Sequence, residues 1–110
     1  MSTETRKVLA QIVPPATTLT DAYTVPLLTQ TVISSLIVCN MGNNSVNFRI
    51  SVAVAGIIDN PKQYCYYDII IDGPNTFVST IGITLGAGDV IRVYSGNGDL
   101  SFNFYGVEIT

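Results

Sequence analysis

Val46-Asn47-Phe48-Arg49-Ile50-Ser51-Val52-Ala53-Val54 is the stretch that decides the fold. Val46, Phe48, Ile50, Val52 and Val54 fall on one side of an extended chain, and Asn47, Arg49, Ser51 and Ala53 on the other. Successive side chains of a strand point to opposite faces, so this alternation predicts a strand with one face in a core. Upstream, the run from Thr29 to Asn40 sets Val32, Ser34, Leu36 and Val38 against Ile33, Ser35, Ile37 and Cys39. Both sets are substantially apolar, as in a strand covered on two sides. Met41-Gly42-Asn43-Asn44-Ser45 lies between the two runs, and Gly and Asn tolerate positive φ, so the pair reads as a hairpin.

The same signals recur outward from this pair. Residues 1–6 read as a loose polar tail, Val8 to Val13 as a short strand broken by Pro14-Pro15, and Ala16 to Thr20 as an extended connector. Ala22 to Val25, Tyr64 to Ile71, Thr76 to Leu85, Val90 to Ser95 and Leu100 to Ile109 complete the set of strands. Asp59-Asn60-Pro61, Asp72-Gly73-Pro74-Asn75, Gly86-Ala87-Gly88-Asp89 and Gly96-Asn97-Gly98-Asp99 are turn chemistry between them. No window carries sustained i, i+3, i+4, i+7 apolar spacing. The sequence therefore predicts an all-β chain. Residues 21–110 form a single β-sandwich or jelly-roll-like domain of about eight antiparallel strands, and residues 1–20 an extended N-terminal arm with a short strand.

Composition speaks to how such a domain is used. Of the 110 residues 47% are hydrophobic and 12% charged, against the roughly 25% charged residues of an ordinary soluble domain. Its surface must be covered by neutral polar groups and apolar atoms, which predicts self-association. The other reading is a monomer kept soluble by Ser, Thr and Asn. A net charge of −3 and one adjacent basic pair, Arg6-Lys7, argue against nucleic acid and anionic membranes as partners. Val8 to Val13 is interrupted by Gln11 and is too short for a signal-peptide core, so synthesis in a cytoplasm is expected.

The chain contains no histidine, which removes Ser-His and Cys-His nucleophiles and His-based metal sites. Cys39 and Cys65 alone make no zinc site and read as reduced thiols, pairable only if their strands are neighbours. Asp68 and Asp72 are the best local carboxylate pair, but four residues of strand span ~13 Å, beyond the reach of a glycosidase pair. The turn aspartates Asp72, Asp89 and Asp99 match no EF-hand spacing, and the glycines near Gly86 and Gly96 lack a phosphate-loop lysine. Asn43-Asn44-Ser45 fits a glycosylation acceptor and equally a turn. The sequence thus predicts no enzyme, no cofactor and no metal.

Two groups remain as candidate interaction residues. Tyr64, Tyr66 and Tyr67 cluster, with Tyr64 and Tyr66 assigned to one strand face. They read either as core-lining rings or as an exposed surface for a sugar or a protein. Val8, Leu9, Ile12, Pro14 and Pro15 would form a docking arm laid across a neighbour.

Several landmarks resemble those of small virion proteins of tailed phages, especially cyanophages and marine phages. They are Val8-Leu9-Ala10-Gln11, the run Ala16 to Pro26, Ile37-Val38-Cys39-Asn40 with Gly42, and Phe48 to Val52. Gly82-Ile83-Thr84-Leu85, Gly88-Asp89-Val90 and Leu100-Ser101-Phe102 follow. Met41 stands where that pattern has a basic residue. The resemblance spans nearly the whole chain and implies a structural component of the particle. Its implied role is capsid decoration (cement) as a homo-oligomer, a trimer, on the major capsid protein or another virion protein. Within the resemblance a tail, neck or baseplate component is the alternative; a reading of another class, resting on Tyr64, Tyr66 and Tyr67, is a carbohydrate-binding module for host attachment.

Overall fold

The computed structural model describes residues 2–110, in nine strands and two single-turn 3₁₀ segments. The strands are β1 (Glu4–Ile12), β2 (Thr20–Thr24), β3 (Gln30–Asn40), β4 (Val46–Ala53), β5 (Tyr64–Ile71), β6 (Thr76–Ser79), β7 (Ile83–Leu85), β8 (Val90–Ser95) and β9 (Leu100–Ile109). One sheet runs β1-β9-β3-β6, with β7 also on β3, and the other runs β2-β8-β4-β5. All pairings are antiparallel. The two sheets share one apolar core, so the predicted β-sandwich is the fold.

Four expectations are corrected. The run from Thr76 to Leu85 is two strands, because residues 80–82 leave β3 before the chain rejoins it. Val54 leaves the strand and starts a 3₁₀ turn with its side chain exposed. β3 and β4 do not form a hairpin, since they belong to different sheets. Both strands have a strongly apolar face, and facing those across the core buries more than pairing them edge to edge. The corner between them is made by Asn40, whose buried amide donates to the carbonyls of Asn44 (2.8 Å) and Ile71 (3.1 Å) and accepts from the Gly42 N–H (3.0 Å). Only β4–β5 and β6–β7 stay within a sheet; every other link crosses the core.

The fourth correction concerns the N-terminal segment. β1 begins at Glu4 and pairs along its length with β9, so residues 4–12 are an edge strand of the sandwich rather than a tail and an arm. Leu9 and Ile12 pack against the core and Pro14 is buried, leaving Val8 and Pro15 exposed. Lifting this segment onto a neighbour would strip those contacts from its own domain. Met1 lies outside the described residues.

The centre of the core is Phe48. Its ring stands 5.3 Å from that of Phe77, 6.0 Å from Phe102 and 6.2 Å from Tyr66, in tilted and edge-on arrangements that aromatic quadrupoles favour. Each open side of the sandwich is closed by a tyrosine hydroxyl. On the β5–β6 side, Tyr66 Oη lies 2.7 Å from Ser79 Oγ. On the opposite side, Tyr23 on β2 donates to Glu108 on β9 and lies 2.8 Å from Thr31 Oγ1 on β3. Glu108 also receives Lys7 Nζ of β1 at 3.1 Å.

Burial first, then the hydrogen bond to Glu108, push the Tyr23 phenol up to about 12. The same hydrogen bond, with Lys7, holds the Glu108 carboxyl below its usual range. A phenol whose pKa is raised by folding stabilises the folded state fully below the unfolded value of about 10. That stabilisation is lost as pH climbs through about 12. Urea midpoints measured from pH 9 to 12 are therefore expected to fall, and to fall less steeply in Tyr23→Phe. Equal slopes for the two proteins would show that Tyr23 is not the linked group.

Candidate functional site

Two surfaces stand out: one end of the sandwich and the outer face of the second sheet. The end is organised by Asp89. Its backbone carbonyl accepts the Val25 N–H at 2.9 Å, and its carboxylate accepts the N–H groups of Ala55 (2.9 Å) and Gly86 (2.8 Å). The Gly88 N–H returns to the Val25 carbonyl at 3.1 Å. Three loops, β2–β3, β4–β5 and β7–β8, are thus tied into one surface. Arg92 extends the tie by donating to the carbonyls of Gly56 and Ile57.

Among the described residues, the four most exposed large apolar side chains lie on these loops: Leu28 (92%), Leu27 (86%), Ile58 (85%) and Val54 (64%). Leu28 (φ 56°) and Ala55 (φ 55°) take left-handed backbone, which is uncommon for non-glycine residues, and Gly56 and Gly88 share that region. The opposite end is polar. There Asn43, Asn44, Asp72, Asn75, Asn97 and Asp99 occupy the turns.

On the outer face of the second sheet, the tyrosines divide in a way the alternation pattern did not predict. β5 carries two register shifts against β4, between the pairs Phe48↔Ile69 and Ile50↔Tyr66 and between Ile50↔Tyr66 and Ser51↔Tyr64. Each inserts an extra residue and turns the following side chain over. Tyr66 consequently points into the core, against Phe48 and Phe77. Tyr64 and Tyr67 come together outside, with ring centroids 5.1 Å apart and planes at 90°. Sequence reasoning had Tyr64 and Tyr66 on one face, because period-2 counting holds only for an unbulged strand.

Arg49 anchors this outer cluster. Its guanidinium lies 4.3 Å from the Tyr67 ring centroid and 4.5 Å from that of Tyr94, sandwiched between the two. It also forks onto Asp68, with Nε at 2.6 Å and Nη2 at 3.2 Å, while Asn47 donates to the same carboxylate at 2.9 Å. Arg49 and then Asn47 hold the Asp68 carboxyl below its usual range, and Asp68 in turn raises Arg49. Asp68 sits at the bulge with φ 53°.

Arg49, Asp59, Pro61, Tyr64 and Tyr67 line a cleft of about 510 Å³. Burial, and then the Asp59 carboxylate beside it, keep the Tyr64 phenol above its ordinary value. Ser51, on the same outward side of β4 as Arg49, has a buried Oγ without a hydrogen-bond partner among the described residues. Arg49, Asp59, Ser51 and Tyr94 were not singled out from the sequence. The Asn47-x-Arg49-x-Ser51 alternation was the available signal, since it places the three on one face.

The remaining sequence candidates are dispersed. Cys39 on β3 and Cys65 on β5 belong to different sheets and are free thiols. Asp72 accepts from Ser45, Asp89 holds its loops and Asp68 holds Arg49. No group of three or more His, Cys, Asp or Glu that could hold a metal is found among the described residues. No helix of the described residues is long and apolar enough to cross a membrane.

No protein-family model matches the chain, and no curated protein matches it in sequence. Among solved structures it is similar to two pentameric capsid proteins isolated from metagenomic phage sequences. One is 16% identical with a TM-score of 0.41, over 92% of this chain and 59% of that one. The other is 18% identical with a TM-score of 0.40, over 92% of this chain and 63% of that one. The chain thus spans about three fifths of the length of those proteins.

The Asp89 clamp makes a direct prediction. Asp89→Ala should lower the unfolding free energy by about 1–3 kcal/mol and speed hydrogen exchange at the amides of Ala55 and Gly86. Unchanged exchange at both would mean the carboxylate does not hold the loops.

Proposed function

We propose that this protein is a structural component of a tailed-phage virion that works by assembly. In its specific form, the proposal is a decoration (cement) protein that binds the outside of the shell as a trimer and reinforces the lattice of the major capsid protein. The observation that carries the reading is the apolar loop end, where Leu27, Leu28, Val54 and Ile58 stand in solvent on loops pinned by Asp89. Exposed apolar surface of this kind marks a contact site, and a clamped one loses little loop entropy on docking.

Two further features support the reading. The surface has few ions to keep a subunit apart from its neighbours. The free edges are poor templates for strand addition: β1, β2 and β5 are bulged, and β6 is four residues long. Contact through side-chain surfaces is the route left open, and closed symmetry makes such contacts finite. Many copies on a repeating lattice multiply weak individual contacts into a tight coat. The resemblance of the sequence landmarks to those of small tailed-phage virion proteins supports the phage context, and with it the virion surface as the proposed location. The proposal assigns the protein no catalytic role, no cofactor, and neither nucleic acid nor membrane as a partner.

Light scattering of the isolated chain is expected to give a trimer mass, and Leu28→Asp with Ile58→Asp a folded protein of lower mass. A clean monomer at high concentration would remove the self-association claim. In particles of the encoding phage, a decoration protein should approach the copy number of the major shell protein. A handful of copies per particle would place it in the tail, neck or baseplate instead.

A further inference from the structure

The cleft of Arg49, Asp59, Pro61, Tyr64 and Tyr67 has no part in the assembly reading, yet it is built as a site. Its volume of about 510 Å³ lies in the range of small-molecule pockets, ~300–1,000 Å³. Tyr67 joins Tyr64 on this face only because β5 is bulged between Tyr66 and Ile69, and bulges re-aim side chains at binding sites. Asp68, at that bulge, holds left-handed backbone beneath the Arg49 stack, and backbone strain of this kind clusters at functional positions. The buried Ser51 hydroxyl on the same side of β4 is unsatisfied among the described residues.

The charges select the ligand. A cation would meet the Arg49 guanidinium, which already covers one face of Tyr67. An anion would meet Asp59, with the Arg49 charge already paired by Asp68. A neutral ligand with an apolar face and a rim of hydroxyls avoids both penalties. The cleft offers such a ligand tyrosine and proline surface for its apolar face. For its hydroxyls it offers a carboxylate acceptor in Asp59, phenols that donate and accept, and the edge of the guanidinium as donor.

We propose that this cleft is a binding site for a neutral saccharide. The geometry rests on one subunit alone, so the inference stands or falls independently of the trimer. Tyr67, 57% exposed, is the stacking platform, and Asp59 reads the hydroxyls.

The test starts with the full chain on an array of neutral and anionic glycans. Amide and side-chain NMR titration then follows with the neutral oligosaccharides bound, or with maltose, cellobiose and lactose where none is retained. The expected result is saturable shifts at Tyr64, Tyr67 and Arg49. Tyr67→Ala should weaken binding at least tenfold and Asp59→Asn severalfold, each with a wild-type-like spectrum elsewhere. Tyr105→Ala, on the other sheet, should bind like wild type. The proposal is overturned if no neutral sugar shifts these residues, if only sialylated or uronic-acid glycans bind, or if Tyr67→Ala binds undiminished.

Discussion

The contact of Phe48 with Phe77, Phe102 and Tyr66 is the constraint from which the rest of the molecule follows. It joins rings from both sheets at the middle of the core, where Phe48 and Phe102 are inaccessible to solvent. Burying Phe48 and Ile50 leaves Arg49 and Ser51 on the outer side of β4, because adjacent side chains of a strand cannot share a face. The guanidinium then needs partners in solvent-exposed surroundings. It finds them in Asp68, Tyr67 and Tyr94. The tyrosine cleft is therefore a consequence of how the core is packed.

The same packing explains the connectivity. A chain with two strongly apolar strand faces in succession buries them best by laying one in each sheet. The links accordingly cross the core nearly everywhere, with Asn40 turning one such corner by satisfying its whole amide in the interior. Crossing links gather the β2–β3, β4–β5 and β7–β8 loops at one end, where Asp89 can reach all three. The exposed leucines and isoleucines of that end are placed by topology, on loops far apart in sequence.

Strand positions were legible in the sequence wherever alternation was clean, as in Val46–Ala53, and wherever Gly, Asn or Pro marked the ends. Sheet membership was not legible, because alternation reports which residues share a face and is silent on which strand lies alongside. The bulges of β5 escaped for a related reason. An inserted residue leaves Tyr64-Cys65-Tyr66-Tyr67 reading as plain alternation, and only the partner register shows that Tyr66 and Tyr64 part company. The start of β1 was not legible because Glu4 and Arg6 carry the charge of a loose tail. On an edge strand those same charges are at home. The Asp89 clamp, tying loops across more than sixty residues of chain, leaves no local pattern at all.

Charge on edge strands is the pattern of the whole surface. The chain has five cations, and three of them are paired across strands: Lys7 with Glu108 (3.1 Å), Arg49 with Asp68 (2.6 Å) and Arg92 with Asp21 (3.0 Å). The pairs join β1 to β9, β5 to β4 and β2 to β8, so each ties an edge strand to its inner neighbour. Exposed pairs contribute little to stability, about 0–1 kcal/mol. Their effect here is on register, and on keeping three of the edges occupied by polar side chains. Ions placed this way cannot also keep apolar loops apart, because they are neutralised by their partners and sit along the strands. At the loop end built on Asp89, Arg92 is turned onto the Gly56 and Ile57 carbonyls and Asp89 onto the Ala55 and Gly86 amides, so these charges are engaged by the loops themselves while Leu27, Leu28, Val54 and Ile58 stay exposed to contact.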